Sequence, residues 1–342
     1  MRTLKVKNKK TLLTFFFLIH SFLAAEEKSL WQDLYDKTDF GAWSDITLGY
    51  SRTESNDDDE SFGSHVYAYG NTKFNNRWSL FTEIEYEYDS DGTDGDAENE
   101  LILERLKLKY THSDAFKLTI GKFNTPWGIW TPEHWTINVD TITKPLHDEN
   151  TYVPRKSIGL MIEGLFFPSD NTELKYSFII ANGVGQSGSN KPEGDDLGAG
   201  LDLRLTMYEK YTLGTSFYTQ EDSPSDRQQD SFLYYFNFEL PWNLTLRSEG
   251  MLQHRDGPED HVQTFYVKLK WQFHEKWYIN YRYDTGDDTT LQYDGKHTIN
   301  SITLAYFPTN NIRLKLEFAD HRVDSEVSDD YQELLLRVGY IF

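Results

Sequence analysis

The sequence predicts an all-β fold: a transmembrane antiparallel β-barrel of about sixteen strands with one long loop folded inward. Three observations predict it. Apolar and polar residues alternate along nearly the whole chain, short turns alternate with long acidic connections, and the final alternating segment ends on Phe342.

The alternation sets the strands. Phe265, Val267, Leu269, Trp271 and Phe273 are interleaved with Thr264, Tyr266, Lys268, Lys270 and Gln272. Ile312, Leu314, Leu316 and Phe318 are likewise interleaved with Arg313, Lys315 and Glu317. Successive side chains of a strand point to opposite faces, so each segment has one apolar and one charged face. Such segments fall near 45–54, 64–74, 78–89, 101–111, 116–123, 157–167, 173–182, 198–208, 211–220, 231–240, 244–254, 262–273, 276–285, 298–307, 311–322 and 331–342. Their length suits tilted membrane strands of about nine to eleven residues.

Composition agrees. The 342 residues include 15 % aromatics, yet no stretch beyond the N-terminus supplies the roughly 18 consecutive apolar residues of a spanning helix. The absence of cysteine excludes disulfides, thiolate metal sites, a cysteine nucleophile and a lipoprotein anchor. A formal net charge of −21 argues against nucleic acid as a partner. No cofactor motif is present, and no metal ligand set is assigned.

Residues 1–25 read as a signal peptide. Arg2, Lys5, Lys7, Lys9 and Lys10 precede an apolar run from Leu12 to Leu23, and Ala24-Ala25 offers a cleavage point. Residues 26–44 form an N-terminal periplasmic segment, in which Trp31, Leu34, Tyr35 and Thr38 have the spacing of a short amphipathic helix. The barrel is expected over 45–342.

Two kinds of connection alternate strictly. The short kind includes Asn75-Asn76, Glu209-Lys210 and Pro241-Trp242-Asn243; the long kind is acidic, as in 57–60, 89–98, 221–230, 284–294 and 324–330. Outer-membrane barrels have short periplasmic turns and long outer loops. A soluble β-sandwich has no reason to alternate turn length in step with strand number. The stretch from Asp89 to Asp96 spaces carboxylates as calcium loops do, but it has no flanking helices and reads as a solvated loop. Divalent ions bridging such loops to lipopolysaccharide would make the barrel sensitive to chelators.

The connection 124–156 differs from the rest. It carries Trp127, Ile129, Trp130, Trp135, Ile137, Val139, Ile142 and Val153. Exposed to water it would be a liability, so it is expected to fold into the barrel and narrow it. Its candidate constriction residues are Trp127, Trp130, Glu133, Asp140, Asp148 and Glu149. The inward wall is expected to carry Glu83, Glu85 and Glu87 on one strand and Arg105, Lys107 and Lys109 on the next, each row neutralising the other. Further round come Arg247, Lys268, Lys270, Arg282, Arg313, Lys315 and Arg337, a basic wall expected to face the acids of the loop across a pore.

The stretch Gly121-Lys122-Phe123-Asn124-Thr125-Pro126-Trp127-Gly128 resembles the G-x-F-x-x-P-[FW]-G segment that leads into the long loop of sixteen-stranded bacterial porins. The last strand, with Leu334, Leu336, Val338, Tyr340 and Phe342 at alternate positions, resembles the signal that the barrel-assembly machinery recognises. The resemblance implies a homotrimeric channel in the lipid of a Gram-negative outer membrane, passing small hydrophilic solutes by passive diffusion. The arginine ladder of the phosphate-selective members has no match here. The alternative function is a surface-exposed structural or ligand-binding barrel with a closed lumen. Nine of the ten histidines fall in the leader or near turns and loop edges, His65 lies on an early strand, and no spacing marks a catalytic triad.

Overall fold

The computed structural model describes residues 28–342 except 54–57, 91–97, 134, 150–151, 184–196, 223–226, 256–260, 289–294 and 325–329. The signal-peptide reading and most of the acidic outer connections, 91–96 of the 89–96 stretch included, lie outside the described residues. None of the described helices is long and apolar enough to cross a membrane.

Sixteen antiparallel strands form one closed barrel, each paired with its sequence neighbours and the first with the last. The strands are β1 Thr38–Thr53, β2 Asp58–Lys73, β3 Trp78–Asp89, β4 Glu98–Ser113, β5 Phe116–Asn124, β6 Lys156–Ser169, β7 Thr172–Asn182 and β8 Leu197–Met207. They continue with β9 Tyr211–Asp222, β10 Arg227–Leu240, β11 Leu244–Arg255, β12 His261–His274, β13 Trp277–Asp288, β14 Gly295–Tyr306, β15 Ile312–Asp324 and β16 Tyr331–Ile341. Every expected strand is present. Closure leaves no edge: Trp43 to Thr53 pair with Ile341 to Tyr331, so no strand backbone is left unpaired at a seam in lipid.

The faces follow the alternation. Trp271, Ile279 and Leu316 are 48 %, 38 % and 46 % exposed, whereas Lys268, Arg282 and Glu317 on the other face are buried. A belt of exposed leucine, isoleucine and aromatic side chains thus covers the outside of a ring whose charged groups point in. That surface is stable only in lipid, so the molecule is a multi-pass membrane barrel.

Several strands outrun the expected segments. β1, β2 and β4 have 16 residues each. β1 starts at Thr38 rather than near 45, because 38–44 already pair with β2 through Thr38–Thr72. Asp58, Asp59 and Glu60, expected in a connection, open β2. Strand ends that project beyond the lipid into water need no apolar face, so alternation does not mark them.

Helix α1, Lys28–Asp36, runs directly into β1. The Thr38 hydroxyl donates to the Leu34 carbonyl at 2.6 Å, and Lys37 pairs with Asp33. Gln32, Asp33 and Tyr35 are exposed, and α1 leads into β1 at the short-turn end of the barrel.

Candidate functional site

The long connection between β5 and β6 is the feature that breaks the symmetry of the barrel. It contains two single-turn helices, α2 Trp130–Glu133 and α3 Leu146–Glu149. Its entry is shaped by the two glycines of the Gly121–Gly128 stretch. Gly121 has φ +124°, and a Cβ there would stand 2.1 Å from the Leu106 carbonyl oxygen of β4. Gly128 has φ +63°, with Glu249 and Leu233 against it. Only glycine fits both the backbone conformation and the space. The chain then turns so that the Gly128 amide donates to Ser216 Oγ at 3.0 Å and its carbonyl accepts from Arg204 at 2.7 Å.

From there the loop follows the inner wall. Its apolar residues Trp127, Ile129, Tyr152 and Val153 join a cluster with Met161, Ile179, Tyr218, Leu233, Tyr235, Met251 and Val262. Ile137 packs with Trp43, Tyr67 and Trp135, and Leu146 packs with Ile299 and Ala319. The wall residues in these clusters sit at inward positions normally polar in a water-filled barrel. They are apolar because the loop covers them.

Buried charges pin the loop to β11–β15. Glu249 accepts the Ile129 and Trp130 amides. Lys268 and Lys270 each bond Asp140 at 2.7 Å. Arg282 donates to Thr141, Thr143 and the Lys144 carbonyl at 2.7 to 3.1 Å. Glu317 accepts the Ile142 and Thr143 amides, the Thr143 hydroxyl and the Thr303 hydroxyl. Lys315 donates to the Thr136 and Val139 carbonyls. Burial favours the neutral form of Asp140, but Lys268, Lys270 and Arg247 hold its carboxyl well below the usual range.

These contacts correct the expected basic wall opposite an acidic loop. Lys268, Arg282 and Lys315 do face inward, but they lie under the loop at 1 %, 0 % and 2 % exposure. Their charges hold it; they do not look across open space. Arg313 reaches the Thr309, Asn310 and Ile312 carbonyls of its own turn and stacks over Phe307. Arg337 donates to Thr47 and stands 3.7 Å from Asp45. Asp148 is buried within the loop, accepting from Thr131 and facing Arg155. The side chain of Glu149 lies outside the described residues.

The expected neutralisation of Glu83, Glu85 and Glu87 by Arg105, Lys107 and Lys109 holds at one place, Arg105 with Glu83. In antiparallel register Lys107 faces Phe81 and Lys109 faces Ser79, while Glu85 and Glu87 face Ile102 and Glu100. The two rows run in opposite directions and overlap at a single pair. A bulge adds Glu104 beside Arg105. Lys109 instead bonds Glu163 of β6, Lys156 bonds Glu104, and Lys107 sits over the Phe81 ring.

The loop reaches the opposite wall through Trp135, whose ring lies under the Arg105 guanidinium at 5.0 Å and 5.8 Å from Tyr69. Between the loop and that wall is a cavity of about 340 Å³ lined by Arg105, Pro132, Glu133, Trp135 and Asn138. Glu133 keeps 49 % of its side chain exposed while pairing with Arg247 at 2.8 Å.

His147 of α3 is a second fastening that the sequence did not mark. It is buried, its Nε2 lies 3.1 Å from Glu249 Oε2, and its ring stacks on Tyr266. Burial alone would push its pKa down. The Glu249 carboxylate 3.1 Å away, with Asp148 and Asp284 nearby, raises it above 6.5 instead. Because the docked pKa is raised, this contact contributes fully below the unperturbed value and is lost as pH rises through the docked one. Protease cleavage within 124–156 is therefore expected to increase on going to alkaline pH. In His147→Gln this pH dependence should flatten, and a profile unchanged by the substitution would rule the fastening out.

No family model matches the sequence, and no curated protein matches it. Solved structures do match. An anion-selective porin from Comamonas acidovorans superposes with a TM-score of 0.63 over 89 % of this chain and 99 % of its own, at 9 % identity. OmpF from Salmonella typhi, in complex with daunomycin, gives 0.64 over 90 % and 99 %, at 12 % identity. The outer membrane channel DcaP of Acinetobacter baumannii gives 0.57 over 89 % and 97 %, at 11 % identity. Identity this low speaks for shape alone, and the shape is shared over nearly the full length of each. The chain has the porin fold, a sixteen-stranded multi-pass barrel of the kind these outer-membrane proteins form.

Proposed function

We propose that this barrel is a diffusion channel for small hydrophilic solutes, with the loop 124–156 as its constriction and a preference for anions. One observation carries the reading. The loop is fastened mainly to the β11–β15 side, and beyond the stretch of β6–β9 that it also covers, the β4–β8 wall carries half-buried Lys107, Lys109, Lys175 and Arg204 against Glu163 and Asp202, with Arg204 also reaching the Gly128 carbonyl of the loop. The Lys175–Arg204 pair is directly cross-strand, so two cations stand side by side. A positive surface flanking a narrow passage raises the local concentration of anions.

The short turns face the periplasm and the acidic connections face outward. The assembled form is a homotrimer, as the resemblance to porins implies. Lipid, lipopolysaccharide and the barrel-assembly machinery are its partners, the last reading Tyr340 and Phe342.

Planar-bilayer recording in a salt gradient tests this. The expected result is steady ohmic conductance with a reversal potential on the anion side. Lys107→Gln together with Lys175→Gln should lower the anion-to-cation permeability ratio by roughly two- to fivefold, the effect of about 0.5–1 kcal/mol of screened field. Refolded barrels that insert but never conduct would favour the closed-lumen alternative.

A further inference from the structure

We propose that His65, Glu85 and Glu87 form a binding site for a divalent transition-metal ion, of the Zn²⁺ class, on the inner wall between β2 and β3. One ligand atom from each of the three lies within 4.8 Å of the others. The site does not rest on clustered carboxylates. It rests on how the imidazole is held.

Glu85 and Glu87 are two apart on β3 and share its inward face, and His65 stands directly across from Glu87 in the register. His65 Nδ1 is 2.9 Å from Asp45 Oδ1. A carboxylate only accepts, so Nδ1 carries the hydrogen and the ring orientation is set. Asp45 is itself fixed by the Thr136 hydroxyl and by Arg337 at 3.7 Å. The other nitrogen, Nε2, is thereby aimed at Glu87 Oε1, 3.3 Å away, to which it donates; a bound metal ion would take the place of that proton. A carboxylate behind one imidazole nitrogen, with the other directed at further oxygen ligands, is the arrangement that prepares histidine for a metal.

The His65–Glu87 separation fits too, and Glu85, within 4.8 Å of both, would close on a bound ion. In a tetrahedral site with bonds of about 2.0–2.1 Å, ligand atoms are about 3.3 Å apart. His65 and Glu87 already stand at that edge length. The fourth position is left for water, since Glu87 is 40 % exposed on its side chain and the site opens toward the lumen.

The charge balance also accepts a cation in place of the Nε2 proton. The Glu104 carboxylate is bonded by Lys156, and Asp45 is shared by Arg337 and His65. Tyr67 is the hydrogen-bond partner of Glu85. That leaves two carboxylates facing one imidazole. One nitrogen with carboxylate oxygens selects Zn²⁺ or a similar ion over Ca²⁺, which takes six to eight oxygens.

Metal binding is read directly, so the test does not depend on whether the barrel conducts. The full refolded barrel in detergent is stripped with chelator and titrated calorimetrically with ZnCl₂ in excess CaCl₂, which fills oxygen-only sites on the acidic connections. The expected result is one Zn²⁺ per chain, with X-ray absorption showing one imidazole nitrogen. His65→Ala should weaken binding by about tenfold or more. Glu87→Gln, at a half-exposed position that the barrel does not need for closure, should do the same. Zn²⁺ binding that is unchanged in Glu87→Gln, or abolished by excess Ca²⁺, would overturn the site.

Discussion

Asp140→Asn is expected to release the loop from its wall. Lys268 is 1 % exposed, and its carboxylate partner is Asp140 at 2.7 Å. Removing one member of a buried pair leaves the other charge uncompensated, at a cost of about 3–5 kcal/mol. Lys270, a quarter exposed, is solvated more easily, which places the effect toward the lower end. The cost falls on docking rather than on the barrel, whose ladder is untouched. Conductance should therefore rise and become noisy, and limited proteolysis should cut within 124–156. Heat-modifiable migration should stay as in wild type. Adding Lys268→Met to Asp140→Asn removes the stranded cation and should restore part of the protection. A single-channel record of Asp140→Asn indistinguishable from wild type would show that the other fastenings hold the loop without the Asp140 pair.

Gly121→Val should fail earlier, at assembly. At φ +124° a β-branched side chain pays about 1–3 kcal/mol for the backbone conformation alone. Its Cβ would also meet the Leu106 carbonyl oxygen at 2.1 Å, an atom of the neighbouring strand that moves only if the β4–β5 ladder opens. An open ladder in lipid exposes unsatisfied backbone groups, so little or no heat-modifiable barrel is expected. Gly128→Ala makes the useful contrast. Its nearest clash is the Glu249 carboxylate at 2.6 Å, the far end of a flexible side chain. That variant should assemble, with disturbed loop docking. Wild-type yield of Gly121→Val would mean that the strand does not pass through this conformation.

Much of this molecule was legible from its residues in order. Trp271 and Lys270, or Leu316 and Glu317, were assigned to outer and inner faces from alternation alone, and the structure places them there. The loop announced itself by its tryptophans, of which Trp127 is buried in a cluster with wall residues. One signal was available and unused. Ile179-Ile180 and Phe232-Leu233-Tyr234-Tyr235 are apolar at consecutive positions, which marks strands dry on both faces. In this barrel that means a wall covered from within.

The rest belongs to the tertiary structure. Sequence by itself determined the faces, the strand count and the alternation of turn lengths, because these depend on the two-residue period of extended backbone and on turn chemistry, both local. Which cations remain on open wall was decided by the loop's path, since Ile142 meets Glu317 across 175 residues of chain and no local pattern encodes that approach. Register decided the remainder. It set Lys107 over Phe81 rather than against Glu85, and brought His65 opposite Glu87, because pairing in a closed antiparallel ring is fixed by every hairpin and bulge around it.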